Sequence, residues 1–182
     1  MTAAPIFVTP AFVRIMAAYN GEMNTRLYDA AGRLSDAARR QERGAFWGSI
    51  HGTFSHLLWA DQIWMARFDG WEAPKVGQKD SATLIADFAE LRQAREVADG
   101  KITSFAGRVD EAWLAADQVW YSGSAGRELS MPRSFLMVHF FNHETHHRGQ
   151  AHAMITAAGE KTGDTDLFLL PEVIAAMVPR GR

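Results

Sequence analysis

Thirteen residues near the end of the chain constrain its fold more than any others: Val138-His139-Phe140-Phe141-Asn142-His143-Glu144-Thr145-His146-His147-Arg148-Gly149-Gln150. Four of the seven histidines lie in this stretch, inside a helix-favouring run over residues 133–158. At ~100° per residue, His143 and His147 project ~40° apart and about one turn apart on one helical face. Two imidazoles in that relation can close on a single metal ion. His139 extends the same stripe by another step of four, and the bulky Phe135, Met137, Val138, Phe140 and Phe141 around it predict burial. A buried histidine needs a partner, and a metal is one such partner. The chain must therefore fold so that another element meets this helix face.

The absence of cysteine narrows the chemistry. It excludes disulfides, thiolate ligands and cysteine nucleophiles, leaving histidine and carboxylate to hold any ion. A chain of 182 residues, 47% hydrophobic and 22% charged, is expected to form one soluble domain over residues 1–182 with a substantial core. The formal charge of −2 gives no electrostatic footprint for nucleic acid or an anionic membrane. The apolar N-terminal run, residues 3–18, lacks a basic start and is interrupted by Pro5, Pro10 and Arg14, which makes a poor signal peptide. No segment approaches the ~20 apolar residues of a membrane span. The expectation is a cytoplasmic protein.

Helical periodicity runs through most of the chain. Pro10, with Thr9 as its cap, opens a helix over residues 10–32 carrying Phe12, Ile15, Met16, Tyr19, Met23 and Leu27. Residues 35–43 read as a connection with at most a short helical turn. From Gly44 an apolar pattern resumes through Trp47, Ile50, Phe54, Leu58 and Ile63 to Phe68, ended by Asp69-Gly70. Ser81 is the expected cap of a third helix reaching Val109, bent at Gly100, with Glu90, Arg92, Arg95 and Lys101 on its solvated side. Residues 118–121 and 128–130 form a candidate hairpin. Pro132 then starts the histidine helix with Ser130 as its cap, and after Gly159 a short helix opens at Pro171 within the tail 167–178. Four long helices with short connections predict an all-α four-helix bundle, with a small hairpin before the last long helix.

A useful metal site needs a third ligand. The second helix offers His51 and His56, which lie ~140° apart and so cannot serve one ion together. His56 shares a stripe with Trp59, Ile63 and nearby Leu57 and is the preferred candidate, leaving His51 exposed or one shell outside the ligands. His146 and His152 are expected to face elsewhere, and His139 to support the ligands from outside. Three imidazoles with an open position match a catalytic rather than a closed structural site. Imidazole ligation suits zinc, nickel, copper or iron.

One competing pattern is present. His143-Glu144-Thr145-His146-His147 satisfies H-E-x-x-H, in which the glutamate is the general base of a zinc protease. The longer form of that motif fails at Gln150, where it needs glycine, and neither Glu160 nor Glu172 is well placed as a further ligand. Helical phase sets Glu144 ~100° from His143, so it reads as a surface residue in a salt bridge.

The run Asn142-His143-Glu144-Thr145-His146-His147-Arg148-Gly149-Gln150 resembles the signature of the DinB family of bacterial metalloenzymes. Ser55-His56-Leu57-Leu58-Trp59-Ala60-Asp61, followed by Trp64, is similar to that family's other histidine segment, and residues 164–169 resemble its usual ending. The likeness spans most of the chain. It implies a four-helix bundle, frequent homodimers, and a divalent ion, zinc or nickel foremost, held by three histidines that map to His56, His143 and His147. It also implies that Gly149 allows close helix packing and that Arg148 and Gln150 are structural partners. Relatives of this fold include S-transferases and a maleylpyruvate isomerase that use low-molecular-weight thiols; other members have no known reaction. The resulting expectation is a metal-dependent enzyme that activates a thiol or water for a small-molecule substrate. The alternatives are a non-catalytic stress-response or binding protein with a structural metal, or a zinc hydrolase.

Overall fold

The structure, a computed structural model, describes residues 6–177. Residues 3–5 of the N-terminal apolar run and Val178 of the tail lie outside the described residues. Four long helices dominate: α1 (Pro10–Gly32), α3 (Ile50–Asp69), α4 (Phe88–Ala106) and α6 (Arg133–Ala157). Short helices α2 (Asp36–Arg40), α5 (Glu111–Ala115) and α7 (Pro171–Met177) lie between and after them. Strands β1 (Asp117–Ser122) and β2 (Arg127–Pro132) form an antiparallel hairpin that pairs Asp117 with Pro132 and Ser122 with Arg127. Helix α1 packs on α4 and α6, and α3 packs on the same two. Among the described residues no helix is long and apolar enough to cross a membrane.

Local chemistry sets the boundaries. Thr9 Oγ1 accepts from the Phe12 amide at 3.2 Å, and Pro10 occupies the first turn of α1, where its missing N–H costs nothing. Gly70 closes α3 in the left-handed region, at φ 69°. Elsewhere the boundaries differ from those expected. Ser49 Oγ caps α3 through the Gly52 amide, so the helix starts at Ile50 and residues 44–49 form a turn that leaves Phe46 76% exposed. Asp87, not Ser81, caps α4, which stays helical through Gly100 and ends before Val109. Ser81 instead lies buried in a 3₁₀ turn, Gln78–Thr83. Ser130 pairs within the hairpin and caps nothing; the first amide of α6, that of Arg133, donates to the Ala116 carbonyl at 2.9 Å.

Two apolar clusters fill the space between the long helices. One gathers Val13, Met65, Phe68, Ile102, Phe105, Met137 and Phe141, on the side of the hairpin. The other gathers Leu27, Tyr28, Ile50, Phe54, Leu58, Leu91 and Ile155. Each fully buried side chain of this size contributes about 1.5–3 kcal/mol by leaving water. Within the core each long helix carries buried polar residues: Asn20 and Asn24 on α1, Asp61 on α3, Arg95 on α4, and Glu144 and Arg148 on α6. A polar layer thus crosses the core. Arg95 is 2% exposed, not on the solvated side of its helix, because it falls on the stripe of Leu91, Ala98 and Ile102.

Candidate metal centre

Helix α6 presents His143 and His147 to α3, and α3 presents His56 to them. The distance from His56 Nε2 to His143 Nε2 is 3.2 Å, and one ring nitrogen from each of the three histidines lies within 4.8 Å of the others. Among the described residues no other histidine, aspartate or glutamate joins this group. His56 and His147 are buried, whereas the His143 side chain keeps 24% of its exposure, leaving the group reachable from outside.

The opposite edges of the rings are held separately. Ser81 Oγ donates its proton to the Gln78 carbonyl at 2.7 Å, so at 2.9 Å from His56 Nδ1 it accepts. That fixes the Nδ1–H tautomer of His56 and leaves Nε2 with a lone pair. His147 Nδ1 lies 2.8 Å from Gln150 Oε1, a carbonyl oxygen that only accepts, with the same consequence. His143 Nδ1 faces Glu144 Oε1 at 3.7 Å. Outer partners of this kind orient imidazole ligands and set their tautomer.

Electrostatics favours the neutral rings. Burial lowers His56 to about 3, with the neighbouring His143 and His147 adding to the shift. Burial likewise lowers His147 to about 4, against the raising effect of its bond to Gln150. His143 is lowered by burial as well. Near neutral pH all three rings are unprotonated, the state that ligates metal. Three convergent, neutral imidazole nitrogens without a carboxylate between them form a donor set that fits a borderline divalent ion.

Aromatic rings wall the group. Trp47 stacks on His56 with centroids 3.9 Å apart and planes 21° apart, and Trp59 stacks on His56 at 5.9 Å. The turn before α3 can deliver Trp47 there because residue 52 is glycine: a Cβ at Gly52 would collide with the Trp47 carbonyl. The sequence offers no local sign that Trp47 and Ser81 serve this site, since both reach it through tertiary packing.

The remaining histidines separate from the group. His51 is buried rather than exposed, with Nε2 2.8 Å from the Ile85 carbonyl and no contact with the triad. His139 is exposed, its ring 6.0 Å from that of His143 and 5.2 Å from that of Trp64. Phe135, expected to help bury the stripe, is exposed. His146 is exposed and His152 bonds Thr162, so both do face elsewhere. Gly149 is exposed and a Cβ there would meet nothing, so no close helix approach depends on it.

Glu144 departs most from its expected place. It is 1% exposed, inside the polar layer rather than on the surface. Arg148 Nη1 lies 3.7 Å from Glu144 Oε2, and Arg95 donates a hydrogen bond to Asp61 Oδ2 and forms an ion pair with Asp99 Oδ1 at 2.9 Å. Asn24 Nδ2 donates to the same Asp99 oxygen at 3.0 Å. Burial, then the Glu144 carboxylate, raises Asp61 to about 8, and burial raises Glu144 too. Burial opposes the charge on Arg95, but Asp99 and Asp61 outweigh it and hold the guanidinium protonated. Because Glu144 approaches His143 from the Nδ1 edge, it stands behind the ligand nitrogens. A protease base would have to stand in front of them.

A sequence model of the DinB family matches residues 9–176 of this chain. Protein DinB of Bacillus subtilis (strain 168) is 24% identical over 159 residues, which cover 83% of this chain and 88% of that protein. No solved structure matches the chain significantly.

Proposed function

The chain belongs to the DinB family, and from that premise we propose that it is a metal-dependent enzyme in which His56, His143 and His147 hold one divalent ion, zinc or nickel, through Nε2. The observation that carries this reading is the convergence of three neutral imidazole nitrogens, with two of the outer nitrogens hydrogen-bonded and the third facing a carboxylate, and no further protein donor in the group. An ion so held supplies Lewis acidity that keeps a thiol or water deprotonated near neutral pH.

The chain's own residues define the rest. Ser81 and Gln150 hold the ring planes, Trp47 and Trp59 exclude water from His56, and the partly exposed edge of His143 leaves a way in for a small molecule. Thiol transfer is the most concrete form of the reaction, and it is supported by the family resemblance. In that reaction the sulfur of a low-molecular-weight thiol forms a bond to an electrophilic carbon. The leaving group departs with the electron pair of its own bond to that carbon, and the thiol proton passes to solvent. The full proposal is a single-domain, cytoplasmic four-helix bundle that works as a homodimer, in detoxification or stress response. A purely structural ion is the second reading, and it calls for a fourth protein donor; among the described residues none joins the group.

Cobalt-loaded protein titrated with 2-mercaptoethanol tests the proposal. A thiolate-to-cobalt charge-transfer band that appears on titration and is lost in His143→Ala is the expected result. A cobalt spectrum that no thiol or other small ligand perturbs would mean a closed coordination sphere, and the structural reading would stand.

A further inference from the structure

Arg67 differs from the ion-paired arginines of the described residues. Arg26, Arg33, Arg40, Arg92, Arg95 and Arg108 each pair with a carboxylate. Arg67 is half-buried and makes no hydrogen bond or ion pair among the described residues. Its guanidinium lies over the Trp64 ring at 4.5 Å and reaches Trp120 at 5.7 Å. Burial lowers its pKa, with no neighbouring carboxylate to offset the loss of water. A guanidinium stays charged even so, and stacking on a ring leaves its planar fork of donors unused. Stacking on the ring compensates part of the desolvation.

The position of this cation gives it meaning. Along the seam of α3 and α6, successive contacts lead from the triad to Arg67. The His143 and His139 rings are 6.0 Å apart, His139 and Trp64 are 5.2 Å apart, and Arg67 covers Trp64. Trp120 of the hairpin flanks the far end, 5.6 Å from Trp64. His139 is exposed, and Trp64 and Trp120 are partly exposed, so the strip between triad and cation is aromatic and open to a ligand.

We infer that this strip is a substrate subsite, and that the substrate carries an anionic head group joined by an apolar or aromatic spacer to its reactive group. The head pairs with the free fork of Arg67, the spacer lies on Trp64 and His139, and the reactive group reaches the triad. The position of the reactive end rests on the metal-site reading above; the anion subsite rests on Arg67 alone. Arg67 is thus a specificity residue that discriminates anionic from neutral substrates.

The test uses the full chain, metal-free, with tryptophan fluorescence as readout. It is titrated with 3-phenylpropionate, with phenethyl phosphate, and with 3-phenylpropanol as the neutral counterpart. Wild type should bind one or both anions about tenfold or more tightly than the alcohol, as expected for a charge-assisted pair. Arg67→Gln should bring the anions down to the level of the alcohol without changing its thermal midpoint, and Arg67→Lys should retain part of the preference. Equal binding of anions and alcohol by wild type, or a preference that survives in Arg67→Gln, overturns the inference. Repeating the titration on cobalt-loaded protein with 3-(4-mercaptophenyl)propionate separates the two proposals. An anion preference without any cobalt–thiolate band retains the subsite and removes the thiol chemistry. A band of equal strength for this acid and its neutral alcohol analogue retains the chemistry and removes the subsite.

Discussion

Helix α3 carries His56 and, five residues later, Asp61; helix α6 carries His143 and His147 and, between them, Glu144. The same two helices thus build two buried polar regions side by side, by opposite means. The triad removes charge: its rings are neutral, and two of the three are hydrogen-bonded on the outer edge so that the inner nitrogens face one another. The polar layer retains charge and pairs it, setting the carboxyls of Asp61, Asp99 and Glu144 against the guanidiniums of Arg95 and Arg148. With three acids against two cations, one retained proton leaves the layer neutral, which agrees with an Asp61 raised to about 8. Three ring nitrogens that converge on one point suit the triad to take up a ligand from outside, whereas the layer sets its charges against opposite charges of the chain itself. One region could hold an ion; the other ties long helices together through paired charges.

Breaking the layer should have the largest effect. Asp61→Ala removes the closest hydrogen-bond partner of the buried Arg95 from the charged network and is expected to cost about 3–5 kcal/mol in urea unfolding, whereas His143→Ala in metal-free protein should cost about 1 kcal/mol or less. Similar losses from both would erase the distinction. Gly52→Ala comes next. Its Cβ must displace the Trp47 carbonyl, which should cost about 1–3 kcal/mol and change the tryptophan fluorescence as the ring leaves His56. Ser81→Ala and Gln150→Ala act on orientation alone. Each should weaken metal binding about 10–100-fold in a chelator competition, with unfolding midpoints close to wild type; unchanged affinity would show that the outer hydrogen bonds do not govern the ligands.

The two regions also pull stability in opposite directions with pH. Folding lowers His56 to about 3 and His147 to about 4 from 6.5, so below pH 6.5 the unfolded chain binds more protons and stability rises with pH in that window. Folding raises Asp61 from 3.8 to about 8, so there the folded chain binds more protons and stability falls as pH rises through that range. Asp61→Asn removes this falling contribution. Denaturation of the metal-free protein across the acid-to-neutral range should therefore show a steeper rise below pH 6.5 in the variant and a smaller decline between 6.5 and 8. Parallel curves for variant and wild type would mean that Asp61 ionises in the folded chain as it does in the unfolded one.

The two regions were unequally legible in the sequence. His143 and His147 reveal their common face through spacing on a single helix, and His56 through its stripe with Trp59 and Ile63. Their partners Ser81 and Trp47 come from turns whose position depends on the packed core, and no local pattern announces them. Glu144, expected at the surface from its ~100° offset from His143, and Arg95, expected there as a charged residue, are both buried. The periodicity already carries the answer: Arg95 shares a face with Leu91, Ala98 and Ile102, and Glu144 lies one turn from Phe140, Phe141 and Arg148 and two from Ala151 in the buried face of α6. A charge at the phase of buried apolar residues, with opposite charges at the same phase of neighbouring helices, signals a buried network. The long helices were legible because Pro10, Gly70 and Gly159 mark their ends chemically, whereas the start of α3 was placed too early because Trp47 continues an apolar pattern that the chain uses in a turn.

On the proposed function the triad, and no other histidine, holds a metal. Elemental analysis of wild type and of the His56→Ala, His143→Ala, His147→Ala and His51→Ala variants, each purified after divalent ions are supplied, tests it most directly. Close to one equivalent of ion is expected in wild type and in His51→Ala, with loss of the ion in the other three. A wild type that stays metal-free, or a His56→Ala variant that retains its ion while His51→Ala loses it, would mean that the triad is not the metal site.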